Sequence, residues 1–150
     1  MSSDEGTPVV PPTVHATAVS IGGRAVLLVG PPGSGKSDLA LRLIDRGAAL
    51  VADDRVVLEA AGERLLASPP LSLAGLIEVR GIGIVAVPYH ARVPVALILD
   101  LAAVPERLPL ATPRELAGIA VPCLAFAPFT ASAAIRAERA LTLFGGGVQT

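Results

Sequence analysis

The sequence predicts an α/β domain with a mixed, partly antiparallel sheet and two to three helices. Three observations carry that prediction. Short runs of Val, Leu, Ile and Ala recur between Gly/Pro turns. One of these runs enters a Gly/Pro loop followed by an amphipathic helical pattern. The remaining runs follow with no internal repeat and no sign of a second domain.

The elements follow in order. Residues 1–12, with Ser, Asp, Gly and three prolines, are expected to form a flexible lead-in to a single domain over 13–150. Thr13 to Ile21 alternates and ends at Gly22-Gly23, and Arg24 to Val29 is apolar, which together predict a hairpin whose second strand is buried. Leu39, Leu41, Leu43 and Ile44 among Asp38, Arg42, Asp45 and Arg46 predict a helix from about Lys36 to Arg46, capped by Gly47. Ala49 to Ala52 leads into Asp53-Asp54, Arg55 to Glu59 continues extended, and Gly62 turns the chain back. Leu73–Val79 and Ile82–Val87 flank Arg80-Gly81, and Val95–Leu101 is a strongly apolar strand. Thr112 to Ala117 is expected to open a helix, with Thr112 as N-cap, Pro113 at the first position and Glu115 at the third. A last helix is expected from Ala131 or Ser132 to about Leu143, ended by Gly145-Gly146-Gly147.

Composition narrows the function classes. Hydrophobic residues make up 52% of the 150 and charged ones 17%, so a folded core is favoured over disorder. Aromatics are only 3%, so that core is aliphatic. The single Cys123 excludes an internal disulfide and a cysteine-rich zinc site, and it fits a reducing compartment. The polar, acidic start lacks the pattern of a secretory signal, and the apolar run 93–103 is too short to span a bilayer and carries Pro94 and Asp100. The expectation is a cytoplasmic protein without a membrane partner. A net charge of −1 and no basic run argue against nucleic-acid binding.

The segment Gly30-Pro31-Pro32-Gly33-Ser34-Gly35-Lys36-Ser37 fits G-x-x-x-x-G-K-[ST] at every fixed position, between an apolar strand and a helix as the motif requires. Glycines let backbone N–H groups approach a β-phosphate, and the helix start presents its positive end to the same anion. Lys36 is placed to neutralise phosphate charge, and the Ser37 hydroxyl to hold Mg²⁺. Lys36 is also the only lysine in a chain with eleven arginines, kept where a compact ammonium must reach phosphate oxygens. The fold expectation is thereby sharpened to a P-loop nucleotide-binding domain, with ATP and Mg²⁺ as its ligands. Asp53-Asp54 and Asp100 both stand at strand ends, where ligands gather in α/β sheets. The pair offers more, one carboxylate for a metal and its neighbour for a proton, while Asp100 reads as a strand-end or turn residue.

Leu76-Ile-Glu-Val-Arg-Gly-Ile-Gly-Ile84 resembles the I-E-[IV]-R-G-[LI]-G-I signature of the HPr kinase/phosphorylase family. Val51-Ala-Asp-Asp-Arg-Val56 is similar to that family's V-A-D-D-x-V, and His15 lies twenty-one residues before Lys36, where the family carries a His. The resemblance covers about residues 13–90. It implies a protein-serine kinase acting on HPr, the phosphocarrier of the sugar phosphotransferase system. By position it implies Asp53 as the base, His15 as a neighbour tuning charge there, and Arg80 as a cation beside the transferring phosphoryl group. Ser37, Asp54 and Glu78 would be the metal-side oxygens. Cytoplasmic hexamers are common in the family, so a homo-oligomer is implied as well.

The chain departs from the family's long form. It is expected to match the short form without the extra N-terminal domain, has Pro32 where the long form's loop carries Ser, and reads Pro122 to Ala133 without the Arg and Asn of a late partner-positioning segment. Two other functions remain open from the residues alone. A small-molecule kinase would carry an arginine-rich lid, and no arginine cluster stands between 81 and 135. A non-catalytic ATP-binding regulator would tolerate loss of Asp53 or Glu78, and both are present.

Overall fold

The structure, a computed structural model, describes residues 12–146. The lead-in up to residue 11 and Gly147 lie outside the described residues. In chain order the elements are β1 (Thr13–Val14), β2 (Thr17–Ile21), β3 (Arg24–Val29), α1 (Lys36–Asp45), β4 (Ala49–Ala52), β5 (Val56–Ala61) and β6 (Arg64–Ser68). A 3₁₀ turn at Leu71–Leu73 is followed by β7 (Leu76–Val79), β8 (Gly83–Ala86), β9 (Val93–Asp100), β10 (Thr112–Leu116), β11 (Ile119–Ala125) and α2 (Ala133–Phe144).

Nine strands join one mixed sheet along the path β1-β5-β6-β9-β3-β2-β4, with β11 also on β9 and β10 on β11. β9 is parallel to β3 and to β11, and all other pairs are antiparallel. β6 meets β9 at Val93 and Pro94 and β11 meets it at Ile98 to Asp100, so the sheet forks along β9. β7 and β8 form a separate hairpin.

Strand alternation divides the core in two. Val26, Leu28, Leu97 and Leu99 face α1 (Leu39, Ala40, Leu43) and α2 (Ala137, Ala140, Leu141). Leu27 and Ile98, pointing the other way, pack with Val56, Leu58, Leu65 and Ala67 of β5 and β6, because the sheet curls over its own second face. Cys123 lies in this second core, where burial pushes its thiol up, Arg114 opposes that and Asp100 adds to it.

α1 starts at Gly35, which holds φ 97°, and buries the Leu39, Ala40 and Leu43 face. It closes as a Schellman turn: the Gly47 N–H donates to the Ile44 carbonyl, the Ala48 N–H donates to that of Leu43, and Gly47 takes φ 111°. α2 spans the expected last helix and its C-cap is Gly145. Among the described residues no helix is long and apolar enough to cross a membrane.

One element differs from its expectation. Thr112–Leu116 is strand β10, not a helix start, paired with β11 from Thr112↔Cys123 to Leu116↔Ile119. Ala117 at φ 50° and Gly118 at φ 81° supply the two consecutive positive dihedrals that a tight hairpin needs. Thr112 to Glu115 are all exposed, so a helix here would have had no apolar face to bury. Pro113 is tolerated because β10 is an edge strand, where a missing N–H leaves no gap in the ladder.

Candidate active site

The loop from Gly30 to Ser37 joins β3 to α1 at the carboxyl ends of parallel β3 and β9. Gly30 is required by space. A Cβ there would stand 2.5 Å from the Ser34 hydroxyl, which is buried and has no protein hydrogen-bond partner. Ser34 N–H donates to the Pro31 carbonyl at 3.1 Å, closing the loop on itself. The Lys36 ammonium donates to the carbonyls of Gly30 (2.7 Å) and Pro31 (3.1 Å), so it lies across the loop.

Asp53 ties three elements to this loop. Its Oδ1 accepts from the Ser37 hydroxyl at 2.7 Å and from the Thr17 hydroxyl at 3.1 Å, and its Oδ2 accepts from the Glu78 backbone N–H at 3.0 Å. One carboxylate thus links α1, β2 and β7. Asp54 follows at φ 72°, a left-handed conformation that Asp tolerates better than most residues.

A cavity of about 500 Å³ opens beside the loop. Gly33, Gly35, Lys36 and Ser37 line it from the loop, and Thr17, Asp54, Glu78 and Arg80 bring a hydroxyl, two carboxylates and a guanidinium. Arg80 is exposed and has no hydrogen-bond or ion-pair partner among the described residues. His15 is exposed, with its Nε2 3.4 Å from Arg55 Nη2, and neither it nor Asp53 is among the residues lining the cavity. Asp100 also serves elsewhere, accepting from Arg114 at 3.2 Å and from the Ala102 N–H at 3.0 Å, as expected of a strand-end residue.

Two contributors were not legible in the sequence. Thr17 is fully buried, and it also receives the Asp54 N–H at 3.4 Å, so one hydroxyl sets the spacing of both acids. Nothing in an alternating strand singles out that threonine. Phe129 also lines the cavity, its ring close to Gly35; the signal was an aromatic residue in a chain with only three Phe. Replacing Thr17 by Val keeps the volume and removes both bonds. We expect it to cost about 1–3 kcal/mol of stability, read by urea denaturation.

The oxygen donors suit a hard cation. Among the described residues no three His, Cys, Asp or Glu side chains form a ready-made cage. The Ser37 hydroxyl with Asp53, Asp54 and Glu78 nearby instead match a Mg²⁺ that takes one or two carboxylates and completes its shell with phosphate and water.

The model of the HPr Serine kinase C-terminal domain family matches residues 10–90, more than half the chain, including the loop, Asp53, Asp54, Glu78 and Arg80. The chain belongs to that family. Among relatives of this HPr kinase C-terminal domain, HPr kinase/phosphorylase of Clostridium tetani is 44% identical over 75 residues, which is 50% of this chain and 25% of that protein. The Enterococcus faecalis HPr kinase/phosphorylase is 45% identical over 82 residues, 54% of this chain and 26% of the other. The chain therefore spans about a quarter of the length of the curated relatives it matches. The Hpr(Ser) kinase/phosphatase from Coxiella burnetii superposes with a TM-score of 0.75 at 30% identity, over 87% of this chain and 92% of that one.

Proposed function

We propose that this chain is an ATP-dependent kinase that phosphorylates a seryl hydroxyl of HPr or a related phosphocarrier. The observation that carries this reading is the Asp53 carboxylate, bonded to Ser37 of the phosphate loop and to the strand that presents Glu78 and Arg80. A nucleotide loop, Asp54 with its neighbour Asp53, and a cation without a partner among the described residues are the components of phosphoryl transfer, and all but Asp53 line one cavity.

In the proposed reaction the loop N–H groups and Lys36 hold the β- and γ-phosphates. The seryl oxygen of the phosphocarrier forms a bond to the γ-phosphorus while the bond to the β,γ-bridging oxygen breaks and ADP leaves. The seryl proton passes to Asp53, whose Oδ2 accepts, among the described residues, only the Glu78 N–H and keeps a lone pair. Arg80 balances charge on the transferring group. Bound Mg²⁺, held by Ser37 with Asp54 and Glu78 directly or through water, would neutralise phosphate charge.

A second reading is favoured by the short Ser37–Asp53 contact, which places Asp53 with the metal-side serine. There Asp54, which lines the cavity, takes the proton.

The test is transfer from labelled ATP to purified HPr with Mg²⁺. Label located on serine by mass spectrometry is the expected result. Nucleotide binding without transfer would overturn the kinase reading in favour of a regulator that binds ATP.

A further inference from the structure

We propose that Phe129 is the platform on which the nucleobase of the bound nucleotide stacks. This rests on the reading of the loop as an ATP site and deepens it. Phe129 lies beyond the residues that the family match covers.

The placement of the ring is unusual for this chain. Phe126 is buried and Phe144 half-buried, whereas Phe129 is 72% exposed and lines the cavity of the phosphate loop. A Cβ on Gly35 would lie 3.0 Å from one ring carbon and 3.2 Å from the next, so the ring rests against the loop backbone immediately before Lys36.

The ring is held there. Arg42 of α1 forks onto both flanking peptides, donating to the Pro128 carbonyl at 2.8 Å and to the Thr130 carbonyl at 3.1 Å. Arg136 of α2 donates to the Ala127 carbonyl at 2.7 Å and to the Thr130 hydroxyl, and its guanidinium lies 4.7 Å from the Phe126 ring centroid. Two arginines from two helices therefore fix a short segment whose only large side chain faces the cavity.

The cavity then has a cationic, N–H-rich loop and a flat apolar surface beside it, with Leu41 adding apolar lining. A ligand with an anionic end and an aromatic end, a nucleoside triphosphate, matches both. The Pro128 and Thr130 carbonyls are already engaged by Arg42, so the segment offers the base a π-face more than an edge to read.

The experiment compares equilibrium binding of ATP and of inorganic tripolyphosphate, both with Mg²⁺, to the wild-type chain, Phe129→Ala and Phe129→Trp. Stacking predicts that Phe129→Ala weakens ATP by roughly 5- to 100-fold, leaves tripolyphosphate unchanged, and is rescued by Trp. ATP affinity unaffected by Phe129→Ala would overturn the proposal, as would equal weakening of both ligands. If ATP still binds normally but the KM for HPr rises, the ring serves the protein partner and the proposal fails while the ATP site stands. If the wild-type chain binds neither ligand, the loop reading itself is wrong and the base platform falls with it.

Discussion

Asp53→Asn is expected to keep the fold and ATP affinity while slowing transfer to HPr by roughly 10²- to 10⁴-fold, the range for losing a general base. The hydrogen bonds allow this substitution. An amide turned so that its oxygen receives the Glu78 N–H places its NH₂ toward Ser37 and Thr17, whose hydroxyls can accept as well as donate. Geometry survives, and the negative charge and the proton acceptor are lost. ATP binding, transfer rate and thermal melting of the variant separate these effects. Asp54→Asn decides between the two readings of the pair. If Asp53→Asn transfers at the wild-type rate and Asp54→Asn does not, the base is Asp54.

Lys36→Ala is expected to weaken ATP on the order of 100-fold, because charge-assisted bonds to phosphate are among the strongest that a loop of this kind makes. The fold should tolerate the change. Lys36 is partly exposed, and its two bonds run to carbonyls of its own loop. Arg is not an adequate replacement, since a planar fork does not fit where a compact ammonium crosses the loop. Isothermal titration with ATP measures the loss directly. The chain has no other lysine, so acylation of side-chain amines reports on Lys36 alone, and ATP should protect it in the wild type. Wild-type affinity in Lys36→Ala would remove the loop from the binding site.

The contrast between what the sequence disclosed and what it did not follows the range of the interactions. α1 and its Gly47 stop were legible because capping and 3.6-residue periodicity are local. The loop was legible because each of its fixed residues answers a steric or electrostatic demand, as the contact between Gly30 and Ser34 shows. β10 was misread because Thr112, Pro113 and Glu115 imitate a cap, while the deciding partner, β11, and the Ala117-Gly118 turn come later in the chain. Thr17 and Phe129 gave little signal because they reach the site from segments distant in sequence, Thr17 through a bond across thirty-six residues to Asp53. His15 was suggested by resemblance alone, and it stands exposed beside Arg55.

The fork along β9 bears on what counts as a folding unit. The family match ends at residue 90, yet the strand that joins the two arms of the sheet begins at Val93. A fragment cut after the family match would carry the whole chemical signature and still leave β3 and β6 with bare edges where β9 should lie. It would also lack α2, and with it one wall of the helix-side core. The phosphate-loop and acidic motifs are thus encoded early in the chain, whereas the central strand and the second helix that complete its cores come later.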